Sequence, residues 1–113
     1  MKLKGVSGID RIIALLKQIN LPFAYNHFAE GEAPATPYIC YLMPDSNNFS
    51  ADGVVYHKLN NVNIELYTDK KDLTTEQKIE DILFSNDIFY NKSEVWIESE
   101  KLYEVLYKFE MEV

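Results

Sequence analysis

Tyr103, Val105, Tyr107, Phe109 and Met111 recur at every second position, and Glu104, Lys108 and Glu110 share the intervening positions with Leu102 and Leu106. A period of two belongs to a strand with one buried and one wetter face. Val62, Ile64 and Leu66 repeat the pattern, so at least two such strands are expected in one sheet. The many carboxylates of "SEVWIESEKLYEVLYKFEMEV" then describe the wet face of that sheet. Paired catalytic acids are not needed to explain them.

The cover for the buried face is expected from two helices. Ile9, Ile12, Ile13, Leu16 and Ile19 recur at helical spacing, Ser7 with Asp10 gives a weak capping box, and Pro22 follows Asn20; together they predict a helix over 7–20. Thr74 with Gln77 announces a second helix, which carries Ile79, Ile82 and Leu83 on one face and ends near Asn86. Between the helices, "PFAYNHF" and "YICYLM" read as strands separated by a loop containing Gly31, Pro34 and Pro37. The chain of 113 residues is long enough for one hydrophobic core and short for two. The expected fold is therefore α+β: a single domain over 1–113 with a mainly antiparallel sheet, two flanking helices and a long central β-hairpin.

Asp52-Gly53 is the turn signal of that hairpin. The following run, Val54 to Thr68, far exceeds an ordinary strand of about 5 to 6 residues, and a bend is expected near Asn60-Asn61. The half nearer the turn pairs with the polar arm "PDSNNFS" and overshoots the core. Phe49, Val55 and Tyr56 near the tip become candidate oligomer or partner contacts, because a monomer gains nothing by displaying apolar area. The bland alternative is a hairpin folded back on its own domain.

Chemistry-bearing motifs are sparse. Pro44-Asp45 with Asp69-Lys70-Lys71 loosely matches the PD-(D/E)xK nucleases, in which two carboxylates hold Mg²⁺ and a lysine orients water. Against it, the triplet falls where alternation ends, Asp45 lies in a polar arm, and a formal charge of −7 opposes tight association with phosphate backbones. His27 and His57 fall on different expected strands, and the lone Cys40 reads as a buried small hydrophobe. The glycines are scattered, so no phosphate loop exists. No cofactor, metal or catalytic residue is expected. No segment approaches the roughly 20 apolar residues that span a bilayer, and no secretory apolar region follows the N-terminus, so a cytoplasmic protein is expected.

The segments "APATPYICYL", "NNFSADGVVYHKLNNVNIELYTDKKD" and "FYNKSEVWIESEKLYEVLYKFEME" resemble the small tail-terminator or tail-completion proteins, encoded in the head-tail joining region of long-tailed phages and Gram-positive prophages. The resemblance spans nearly the whole chain and is a sequence texture, not a catalytic motif. It implies a non-enzymatic virion protein forming a ring, usually hexameric, that stops tail-tube growth and contacts the tail-tube protein and the head connector. DNA passes through its lumen. Such a protein would occupy the host cytoplasm during assembly and the tail or neck of the finished virion. A dimeric cytoplasmic binding module is the other non-enzymatic reading.

Overall fold

The computed structural model describes residues 8–46, 49–51, 54–57 and 59–112, with 49–51 and 54–57 placed by their backbone only. Among them are helices α1 (Gly8–Ile19) and α2 (Leu73–Ser85) and strands β1 (Phe23–Tyr25), β2 (Tyr38–Leu42), β3 (Phe49–Ala51), β4 (Val54–His57), β5 (Leu59–Thr68), β6 (Asn91–Ile97) and β7 (Leu102–Glu112). The fold is α+β, as the alternation and the two helical patterns required.

Five strands form one sheet in the order β1-β2-β5-β7-β6, parallel between β1 and β2 and antiparallel elsewhere. The spine is the β5–β7 ladder, registered from Leu59 opposite Glu112 to Thr68 opposite Tyr103. In that register Val62 faces Phe109, Ile64 faces Tyr107 and Leu66 faces Val105, so the two alternating apolar rows fall on the same side of the sheet. Both helices cover that side, since Ile12, Leu15, Leu16 and Ile19 of α1 and Ile79 and Leu83 of α2 belong to the same buried cluster as the strand residues. Among the described residues, no helix is long and apolar enough to cross a membrane.

The buried stripe of α1 differs from the expected one by a rotation. Leu15 is inside and Ile9 is exposed, because positions 12, 15, 16 and 19 follow the i, i+3, i+4, i+7 rule more closely than a stripe beginning at position 9. The helix begins at Gly8, and Ser7 lies outside the described residues. Asn20 ends it in the left-handed region, at φ 61°, a conformation asparagine tolerates better than most residues. Its amide donates to Leu16 O at 3.1 Å.

Three further expectations are corrected. The N-cap of α2 is Asp72, not Thr74: its Oδ1 accepts from Thr75 N at 3.1 Å and its Oδ2 from Thr75 Oγ1 at 2.6 Å. These bonds, the side-chain one foremost, hold the Asp72 carboxyl below its ordinary value. The run Val54–Thr68 is not one strand bent at Asn60-Asn61. Its parts are used differently, Val54–His57 pairing with β3 and Leu59–Thr68 with β7, and the expected bend is absent because Asn60 and Asn61 are regular sheet residues paired with Met111 and Glu110. Finally, the hairpin is not part of the central sheet, because β3 and β4 form a two-stranded sheet of their own. Their register, with Ala51 opposite Val54 and a shift between Phe49 and Ser50, brackets the expected turn residues Asp52 and Gly53, which lie outside the described residues.

Candidate functional site

Each interface residue expected from the sequence falls in the hairpin: Phe49 in β3, opposite His57, and Val55 and Tyr56 in β4. Their side chains lie outside the described residues. The root of the hairpin is well defined. Asn61 donates its side-chain amide to Asp45 Oδ1 at 2.6 Å and its backbone amide to Asp45 O at 3.1 Å, and Ser46 bridges to Asn60. A polar clasp therefore ties the arm to the end of β5 next to Glu112.

The same clasp dismantles the nuclease arrangement. Asp45 is held beside Asn61, whereas Asp69 follows the other end of β5, where its Oδ1 accepts from Thr36 Oγ1 at 3.3 Å. Eight residue-to-residue steps lead from Asn61 to Asp69, about 26 Å at a rise of roughly 3.3 Å each. Two carboxylates that far apart cannot share a metal ion, whose oxygen ligands lie within about 2.6 Å of it. Among the described residues there is no group of three or more His, Cys, Asp or Glu arranged to hold a metal.

Lys71, the residue that would have oriented water, serves another purpose. Its Nζ lies 2.5 Å from Glu76 Oε2 and also pairs with Glu94. Lys92 of β6 lies 2.9 Å from Glu76 Oε1, an ionic contact without hydrogen-bond alignment, and 2.7 Å from Glu80 Oε2. The Glu80 carboxylate also accepts from the Tyr107 hydroxyl at 2.8 Å. Glu76 is only 2% exposed. Burial alone pushes its carboxyl upward, but the hydrogen bond from Lys71 and the positive charges of Lys71 and Lys92 outweigh this and hold it below its ordinary value. The lysines respond in kind: burial depresses them, and their carboxylate partners more than restore the charged form. This network fastens α2 to the β6–β7 side of the sheet. Its one sequence trace was Glu76 in helical phase with Ile79 and Leu83, a charged residue within an apolar stripe. The β6 partners of Lys71 and Glu76 are more than fifteen residues away in sequence and left no local signal.

On the opposite face, Tyr67 offers its single hydroxyl proton to Glu65 at 3.1 Å and Glu104 at 3.0 Å. Burial, and then the nearness of Glu104, raises the Glu65 carboxyl against the lowering effect of Tyr67. Cys40 is buried in this neighbourhood, and its thiol is pushed up to about 11, by burial first and then by Glu65 and Glu104. A thiol so protonated is a poor nucleophile, in keeping with the small-hydrophobe reading. His27 lies in the loop after β1, with Nδ1 2.9 Å from Phe28 O; His57 lies in β4, where side chains are outside the described residues.

β6 is an edge strand of the main sheet. All its residues except Ile97 are exposed, including Val95 at 51% and Trp96 at 41%. Phe84 and Phe89, before and after the α2–β6 turn, are more exposed still.

No protein-family model matches the sequence, and no curated protein matches it. Among solved structures, a chain of the virion of a native gene transfer agent (GTA) particle shares the fold with a TM-score of 0.59 at 12% identity. The likeness covers 88% of this chain and 83% of that one.

Proposed function

We propose that this protein is a structural component of a phage-like particle, specifically a tail-completion protein that ends the tail tube and joins it to the head connector as a ring of copies. The observation that carries the reading is the fold likeness to a virion chain over nearly the full length of both. The sequence resemblance to tail terminators supports the finer assignment. In this reading the ring is hexameric, contacts the tail-tube protein on one side and a neck protein on the other, and encircles DNA without acting on it. A formal charge of −7 suits a passage that must release DNA. The role is non-enzymatic, consistent with the separation of Asp45 from Asp69.

Within this proposal 1–113 acts as one domain, and the β3–β4 hairpin reaches neighbouring subunits or a neck partner through Phe49, Val55 and Tyr56. The long axis fits such a reach: the Cα extents are 49 × 26 × 24 Å and the radius of gyration is 15.3 Å, against about 13 Å for a compact chain of this length. Assembly takes place in the host cytoplasm and the product resides at the tail or neck of the virion. The test is electron microscopy of particles made in cells lacking the protein. Tails of irregular length and heads without tails are expected, with normal particles restored by the gene in trans. Uniform, joined particles in its absence would refute the assignment.

A further inference from the structure

The two edges of the five-stranded sheet are treated differently. β1 is three residues long and preceded by Pro22, two of the usual devices that discourage an edge from recruiting another strand. β6 is seven residues long, has no proline or glycine, and stays in unbroken register with β7 from Asn91 to Ile97. The one charged device it has, Lys92, is turned toward α2 and neutralised by Glu76 and Glu80, as Glu94 is by Lys71. Among the described residues nothing pairs with its outer edge.

We propose that β6 is a homotypic docking edge, pairing antiparallel with β6 of a second copy about a two-fold axis through Ser93. Charge complementarity selects the partner and the register. Centring on Ser93 sets Lys92 opposite Glu94 of the partner subunit and Glu94 opposite the partner's Lys92, with Asn91 opposite the partner's Val95. Directly opposed side chains have Cβ atoms about 4.5 to 5.5 Å apart, close enough for both charge pairs to form. The Lys92 and Glu94 side chains are 36% and 39% exposed, so each keeps surface for a second partner. Centring on Glu94 would set two carboxylates face to face, and centring on Val95 would set Glu94 against Trp96; both forgo the exchange. The axis is normal to the sheet, so the two sheets join into one and the four helices share a face. The contact is isologous and closes a dimer of the free protein; it is not an interface of the polar ring proposed above, whose subunits meet head to tail, and it does not depend on the tail-completion reading. β6 begins opposite Lys108, whereas the hairpin lies beyond the Leu59–Glu112 pair.

Sedimentation of the intact protein from micromolar to millimolar concentration tests the pairing. A reversible shift from the 13.2 kDa monomer to twice that mass is expected. Ser93→Cys then reads the register, because antiparallel Cα atoms directly opposed are about 4.5 to 5.5 Å apart, within disulfide range. Under mild oxidation Ser93→Cys should give a covalent dimer. Val95→Cys should not, since its two copies would stand about 14 Å apart at a rise of roughly 3.4 Å per residue. Ser93→Lys, at an exposed position outside the ion network, should weaken dimerisation at least about tenfold by opposing two like charges while leaving the melt unchanged. A protein that stays monomeric throughout, a higher assembly in which Ser93→Cys does not crosslink, or crosslinking through position 95 would each overturn the proposal.

Discussion

Replacing Glu76 by Gln tests whether the buried carboxylate holds α2 to the sheet. Gln preserves the volume and can still accept from one lysine, so what is removed is the charge. A hydrogen bond to a charged group contributes about 1.5 to 3 kcal/mol and a neutral one about 1. Removing one member of a buried pair costs up to about 3 to 5 kcal/mol when the other charge is stranded. Here neither lysine is stranded, because Lys71 keeps Glu94 and Lys92 keeps Glu80. Both lysines are also about one-third exposed, which screens the interaction. The expected loss at neutral pH is therefore about 2 kcal/mol. With an unfolding entropy of about 2.1 cal/mol/K per residue, the 113-residue chain should melt about 8 °C lower. The pH dependence gives a second reading. The folded Glu76 carboxyl titrates below its unfolded value of about 4.3, so its stabilisation is complete above that value and is lost as pH falls through the lower folded value. Calorimetric melts of wild type and Glu76→Gln should thus converge as pH falls from the unfolded value through the lowered folded one. A variant as stable as wild type at pH 7, or a difference that grows on acidification, would refute the network as a net source of stability.

Changing Phe49 and Tyr56 together to Ser should leave the denaturation midpoint nearly unchanged but impair ring formation or the joining of heads to tails in electron micrographs; destabilisation by about 3 kcal/mol or more, as for aromatic core truncation, would place these rings inside the domain. Plasmid incubated with the protein and Mg²⁺ should remain intact, thermal melts with and without chelator should coincide, and Asp69→Ala should alter neither; nicking abolished by Asp69→Ala would restore the nuclease reading. The Cys40 thiol, pushed up to about 11, should react with an aromatic disulfide at pH 8 only after denaturant is added, and rapid labelling of the native protein would show the strand to be open.

The parts of the fold that were legible in the sequence are those fixed by local periodicity. Alternation placed Val62, Ile64, Leu66 and the row from Val105 to Met111 on one buried face, and helical spacing located both helices to within a residue or two of their ends. The Thr74–Gln77 signal misled because Asp72, two residues earlier, is also a good cap and reaches Thr75 with both of its carboxylate oxygens. A bend was expected at Asn60-Asn61 because they look like turn residues locally; their regular pairing with Met111 and Glu110 is set by a strand about fifty residues away. Glu76 was missed for the same reason. A charge in an apolar stripe has no local explanation, and its partners arrive from β6. The weakness of the Pro44-Asp45 and Asp69-Lys70-Lys71 match was legible from their positions in the pattern, but the distance between Asp45 and Asp69 needed the clasp between Asp45 and Asn61.

The order of strands in space carries a consequence for synthesis. β7 follows every other element of the fold in the chain, yet it lies between β5 and β6 and supplies Val105, Tyr107, Phe109 and Met111 to the core. Until it leaves the ribosome, β6 has no strand to pair with and β5 is paired only with β2. The apolar row Val62-Ile64-Leu66 then stands beside an open edge. The cooperative core cannot close on a nascent chain that stops at α2 or β6, and such a chain offers an unpaired edge of the kind that aggregates or is captured by chaperones. Translation to near Glu112 is in effect a checkpoint: a ribosome that stalls or terminates before Leu102 yields a product that fails to fold.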